Sequence, residues 1–254
     1  MSKVVLCILA HPDDAEFLCA GTLARLSLEQ GFKVHIATMT PGDCGSASLA
    51  PEVISEIRRK EGSEAAAILK GQYHCIEEKD LLVFYSQQPL LKVTHLIREV
   101  NPTIILTHSP SDYMMDHEQT SAIVRAAAFC APIPNFDPST SMKPIPHIPH
   151  LYYCDPIEGV DPMGKKVVPQ FMIDITSTIE TKAQMLTAHA SQRDWLLKHH
   201  GMDQYLLSMR NFAAHQGKEI GVEAAEGFRQ HLGHSYPQNN ILGSLLGFKE
   251  VLKA

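Results

Sequence analysis

The stretch Lys3-Val4-Val5-Leu6-Cys7-Ile8-Leu9-Ala10-His11-Pro12-Asp13-Asp14 turns from apolar to polar between residues 10 and 11. Its first part is short, β-branched-rich and continuous rather than alternating. That pattern predicts a strand buried on both faces, as in a parallel sheet covered by helices. Residues 15–30 then read as one helix ended by Gly31, and 33–39 as a second strand. Strand, helix and strand within about 35 residues make a right-handed βαβ unit.

The alternation continues. A Gly-rich loop spans Thr40 to Ser46, followed by a helix over 52–69, a short strand near 72–76, a helix over 88–100 and a strand over 103–107. Residues 108–118 read as a loop and 119–130 as a helix. The expected fold is α/β: a doubly wound, mostly parallel Rossmann-like sheet with helices on both faces. The chain reads as a single domain over 1–254. Its core is 1–130, a Pro-rich loop covers 131–149 with prolines at 132, 134, 138, 144, 146 and 149, and further strands and helices cover 150–254. In that last part 151–154 and 170–175 are expected as strands, and 176–189 and 222–230 as helices. Trp195, Tyr205 and Phe212 are expected to serve in core packing, a pocket wall or a subunit contact.

Composition excludes several classes. With 44% hydrophobic and 20% charged residues the 254-residue chain reads as globular. A net charge of −6 and the lack of a basic stripe argue against nucleic acid. No run approaches a membrane span, and the apolar start stops after seven residues, too early for a secretory leader. Six cysteines without a C-x-x-C pair suggest reduced thiols. A soluble, cytoplasmic protein is expected. The glycines form neither G-x-G-x-x-G nor a P-loop, so no motif supports a nucleotide cofactor.

The chemistry-bearing residues cluster at strand ends. His11, Asp13, Asp14 and Glu16 follow the first strand; His108, Asp112, Asp116 and His117 follow the strand over 103–107. Ligand sites in open parallel sheets lie beyond these ends, at the point where strand order reverses. If it reverses between these two strands, His11, Asp14 and His117 would make a three-ligand metal site of the kind zinc accepts, leaving Asp13 for proton transfer. The first cluster taken alone reads equally as a polar helix cap, and for Asp116-His117 alone the cap is the favoured reading.

Ala10-His11-Pro12-Asp13-Asp14-Ala15-Glu16 with Gly21-Thr22-Leu23, the loop Gly42-Asp43-x-Gly45-Ser46, Arg58-x-x-Glu61, Asp116-His117, His189-Ala190-Ser191-Gln192 and Ala225-Glu226-Gly227-Phe228 resemble, in order, the motifs of the PIG-L (LmbE-like) zinc-dependent deacetylases. The resemblance implies that His11, Asp14 and His117 bind Zn2+, other divalent metals also suiting the set. It implies that Asp13 is the general base acting on a metal-bound water, and that Arg58 contacts substrate; an ion pair between Arg58 and Glu61 is the plainer reading. The implied partner is a small N-acylated substrate, an N-acetylated amino sugar or a related amide, with a homo-oligomer as a possible state. One departure stands out. The family's second motif reads His-Pro-Asp-His, whereas this chain has Met114-Met115-Asp116-His117. A thioether cannot donate the hydrogen bond that an oxyanion needs. Asp116, His108 and His189 are the candidates by residue type for a supporting or oxyanion role. An amidase with a non-sugar substrate and a metal-binding module without catalysis are the competing readings.

Overall fold

The computed structural model describes residues 3–192 and 205–251. Strand β1 (Val4–Leu9) runs through the middle of an eight-stranded sheet ordered β3-β2-β1-β4-β5-β7-β6-β8. The partners are β2 (Lys33–Thr38), β3 (Gln72–Cys75), β4 (Ile104–Thr107), β5 (His150–Cys154), β6 (Phe171–Asp174), β7 (Ala225–Gln230) and β8 (Lys249–Glu250). β3, β2, β1, β4 and β5 run parallel to one another; β7, β6 and β8 extend the sheet in antiparallel fashion. The expected α/β architecture is therefore present, with an antiparallel edge. Since β1 to β8 share one sheet, the Pro-rich segment separates no second sheet.

The continuous apolar run of β1 has a direct cause. Val5, Cys7 and Leu9 point into one core layer while Leu6 and Ile8 point into another. On the first face lie α1 (Asp14–Leu18), α2 (Ala20–Leu28), α3 (Pro51–Ile68), α6 (Ile179–Thr187), α7 (Tyr205–Ile220) and α8 (Ile241–Leu246); on the second lie α4 (Gln87–Val100) and α5 (Met115–Cys130). Alternation along a strand disappears from the sequence when both faces are covered.

Four expectations change. The single helix over 15–30 is two helices, broken at Cys19 (φ −145°, ψ 9°). The backbone N–H groups of Gly21 and Thr22, freed by the break, donate to Glu226 Oε1 and Oε2 at 3.0 and 2.8 Å. Glu226 is fully buried and also binds Lys182 Nζ at 2.5 Å. The segment expected as a helix over 222–230 is instead strand β7. Its helix-forming residues are overridden by the vacancy between β5 and β6, and Gly227 is needed there because a Cβ would collide with the Asp155 carboxylate. Helix α5 begins at Met115 rather than 119, so Asp116 and His117 sit in its first turn. Helix α7 was not anticipated. Trp195 lies outside the described residues; Phe212 stacks on Phe17 at a centroid distance of 6.3 Å.

Candidate metal centre and cleft

Strand order reverses between β1 and β4: β2 and β3 lie on one side, β5 on the other. Val5 pairs with Ile104 and Ile8 with Thr107, so both strands end level and their following loops meet at the switch point. This brings His11, Asp14 and His117 together, all buried, with one donor atom from each lying within 4.8 Å of the others. His11 Nδ1 is 3.3 Å and His117 Nε2 3.6 Å from Asp14 Oδ2.

The outer nitrogens of both imidazoles are braced. His117 Nδ1 lies 2.9 Å from Asp112 Oδ1. His11 Nε2 lies 3.1 Å from Asp80 Oδ1 and 3.4 Å from Asp116 Oδ2. A carboxylate on the far nitrogen fixes the ring and turns the near nitrogen toward the cluster, the usual arrangement around a metal-ligating histidine. Burial alone would lower the pKa of His11; Asp116, Asp14 and Asp80 outweigh it and raise it well above the usual value. Three carboxylates around one imidazole favour positive charge in this spot. The donor set of two nitrogens and one oxygen, together with this excess of negative charge, fits a divalent cation such as zinc.

Asp13 stands beside the cluster in a left-handed conformation (φ 97°), a region that costs a non-glycine residue strain. Burial raises the pKa of its carboxyl, with Arg58 opposing that shift. Tyr205 donates its hydroxyl proton to Asp13 Oδ2 at 2.5 Å. Arg58 is buried and donates to the carbonyls of Pro12 (2.8 Å) and Gly42 (3.3 Å), with Nη2 3.6 Å from Asp13. It thus holds the turn that presents Asp13 and makes no pair with Glu61, which accepts from Ser191 instead. The loop glycines have a physical reason: a Cβ on Gly42 or Gly45 would strike the Arg58 guanidinium.

The remaining predicted residues take different places. Asp116 accepts from the Leu81 N–H at 2.8 Å and lies 3.4 Å from His11 Nε2. His108 stacks on His117 (centroids 3.8 Å apart) and accepts from the Ala10 N–H at 3.0 Å; burial lowers its pKa to about 4. His189 lies 3.3 Å from Glu16. Neither His108 nor His189 lines the cleft, although His108 Nε2 lies 3.1 Å from Asp14 Oδ2. Met114 does line it. Sequence reasoning missed Asp80 and the contact of Tyr205 with Asp13. Asp80 follows β3 by a loop and carries no motif; Tyr205 is 192 positions from the carboxylate that it binds.

The cleft has a volume of about 490 Å³ and is lined by the cluster, Asp13, Arg58, Asp80, Cys44, Gly45 and Gln192, and by Phe17, Leu81, Tyr113, Met114, Ile157 and Tyr205. No described helix is long and apolar enough to cross a membrane.

Residues 6–128 match the family described as PIG-L: GlcNAc-PI de-N-acetylase. A PIG-L family domain thus spans residues 6–128, just under half of the chain, where most of the quoted motifs lie. Among its relatives is a diacetylchitobiose deacetylase of Thermococcus kodakarensis, 28% identical over 89% of this chain and 82% of that protein. The structure of N,N'-diacetylchitobiose deacetylase from Pyrococcus horikoshii superimposes with a TM-score of 0.77 at 27% identity, covering 94% of this chain and 88% of the other. A 4-oxalmesaconate hydratase of Pseudomonas putida is 25% identical over 75% of this chain and 74% of its own. The relatives thus include sugar deacetylases and an enzyme of different chemistry.

Proposed function

We propose that the protein is a divalent-metal-dependent hydrolase that removes an acyl group from the amine of an N-acetylated amino sugar or a related small amide. The observation that carries this reading is the convergence of His11, Asp14 and His117 at the switch point, with Asp13 beside them in the same cleft. These three residues would hold Zn2+ or a similar ion. Such an ion supplies Lewis-acid chemistry, lowering the pKa of a coordinated water toward about 7 and polarising a carbonyl oxygen.

The chain's own residues do the rest. Asp13 takes a proton from the attacking water and returns it to the amine nitrogen as the C–N bond breaks, leaving a carboxylic acid and an amine. The hydrogen bond from Tyr205 and the nearby Arg58 fix the carboxylate, and Asp80, Asp112 and Asp116 hold the two imidazoles. Replacing Asp13 by Asn, which tolerates the left-handed backbone, is expected to cut the rate by roughly 10²–10⁴ with bound metal retained. Acetate release from N-acetylglucosamine derivatives, measured beside metal content, tests this. An Asp13→Asn variant of undiminished rate removes Asp13 from the mechanism.

A second reading rests on Met114, whose thioether faces the cleft at the start of α5 and has no proton to give an oxyanion. The hydratase relative shows that a related chain serves water addition. Hydration of an unsaturated dicarboxylate, in the absence of any amide cleavage, would favour it.

A further inference from the structure

Leu81 is the point of departure. Its backbone is left-handed (φ 64°), a conformation that asparagine or glycine adopts more readily than leucine. Its side chain nevertheless lines the cleft and is 59% exposed, so core packing does not explain a leucine here. Its N–H is bonded to Asp116, the carboxylate that braces His11. A strained residue tied into a site points to a use for its side chain there.

The surroundings agree. Phe17, Tyr113, Met114, Ile157 and Tyr205 line the same cleft, and Tyr113 is 58% exposed. The polar lining is largely committed. Arg58 is spent on two carbonyls, the Tyr205 hydroxyl on Asp13, and Asp80 on His11 and the Cys44 N–H. Among the buried side-chain atoms of the described lining residues outside the metal cluster, Arg58 Nε and the Gln192 carbonyl oxygen have no hydrogen-bond partner. The apolar side of the lining offers a ligand no hydrogen bond, and polar groups desolvated without partners weaken binding, so an apolar group suits it.

We propose that the substrate carries an apolar or aromatic group, of about the size of one ring, that packs on Leu81 and its apolar neighbours, and that Leu81 is a specificity-determining residue. This rests on the hydrolase reading for the reaction, but not for the binding.

The test compares three compounds on the full-length, zinc-loaded protein: N-acetylglucosamine, its 4-nitrophenyl glycoside (aryl group on the amine half) and N-benzoylglucosamine (aryl group on the acyl half). Rates and calorimetric affinities are both measured. At least one aryl compound is expected to exceed the parent sugar by about tenfold in kcat/KM and in affinity, and whichever does so identifies the half that carries the group. Leu81→Asn, which suits the backbone, is expected to bring that ratio close to one. Equal values for all three compounds, or a ratio that Leu81→Asn leaves intact, overturn the proposal while leaving the hydrolase reading in place. Leu81-dependent binding of an aryl compound with no cleavage of any amide supports the proposal and overturns the hydrolase reading instead.

Discussion

Two knots of buried charge lie close together around the first helices, and they are built in opposite ways. Below the break between α1 and α2, Glu226 meets Lys182 and two backbone N–H groups, all within 3.0 Å. At the ends of β1 and β4, several carboxylates crowd around three imidazoles, Asp13 adopts a strained backbone, and the Asp112 Oδ2 and His108 Nδ1 atoms are buried without partners. Both use the same residue types. The first is complete as it stands and ties β7 and α6 to the N-terminus of α2. The second leaves buried donor atoms unmatched, groups donors that could hold a cation, and opens to a cleft. Completeness of pairing, rather than burial or charge, separates scaffold from site.

The contrast can be broken most directly at Glu226. Glu226→Ala strands a buried ammonium and two N–H groups, and a loss of about 3–5 kcal/mol in urea unfolding is expected. Glu226→Gln, which keeps an acceptor, should lose less. A loss below about 1 kcal/mol for the alanine variant would show that the knot is not a scaffold. At the other knot, zinc at 100 times its Kd is expected to stabilise the protein by about 2.7 kcal/mol. That gain should vanish in His117→Ala and survive in Glu226→Gln; an equal gain in all three would move the ion elsewhere.

Asp155 sharpens the comparison with the smallest effect. It is buried at the end of β5, with Gln216 donating to Oδ2 at 2.9 Å, but Oδ1 has no hydrogen bond and Arg229 Nε stays 3.9 Å away. Burial raises its pKa from 3.8 to about 7, with Arg229 opposing the shift. Between those values the folded protein holds a proton that the unfolded chain has released. Asp155 therefore lowers stability progressively as pH rises through that window, and the penalty is complete above 7. Asp155→Asn should flatten that part of the stability profile and add roughly 1–2 kcal/mol at pH 8. A steeper profile in the variant would mean that the ionised pair with Arg229 is favourable.

Much of this was legible in the chain. The run 3–10 and the polar residues after it located β1 and one half of the cluster, because a strand buried on both faces and a polar strand end each leave a local mark. The βαβ alternation indicated the parallel half of the sheet. The misread helix over 222–230 shows where local rules fail: Ala225, Glu226 and Arg229 favour a helix, and a strand position between β5 and β6 overrode them. The break at Cys19 was hidden for the same reason, since the acceptor that compensates it comes from Glu226, some 200 residues away.

The sequence by itself determined which residue types stand at the two strand ends, and the motif resemblance proposed how they combine. Only the tertiary structure decided that β4 lies against β1, that Asp80 and Asp112 brace the imidazoles, that Tyr205 reaches Asp13, and that Leu81 faces the cleft. Capping and periodicity act over three or four residues. Strand order and the meeting of distant loops depend on burying the whole sheet at once, a requirement spread over the entire chain.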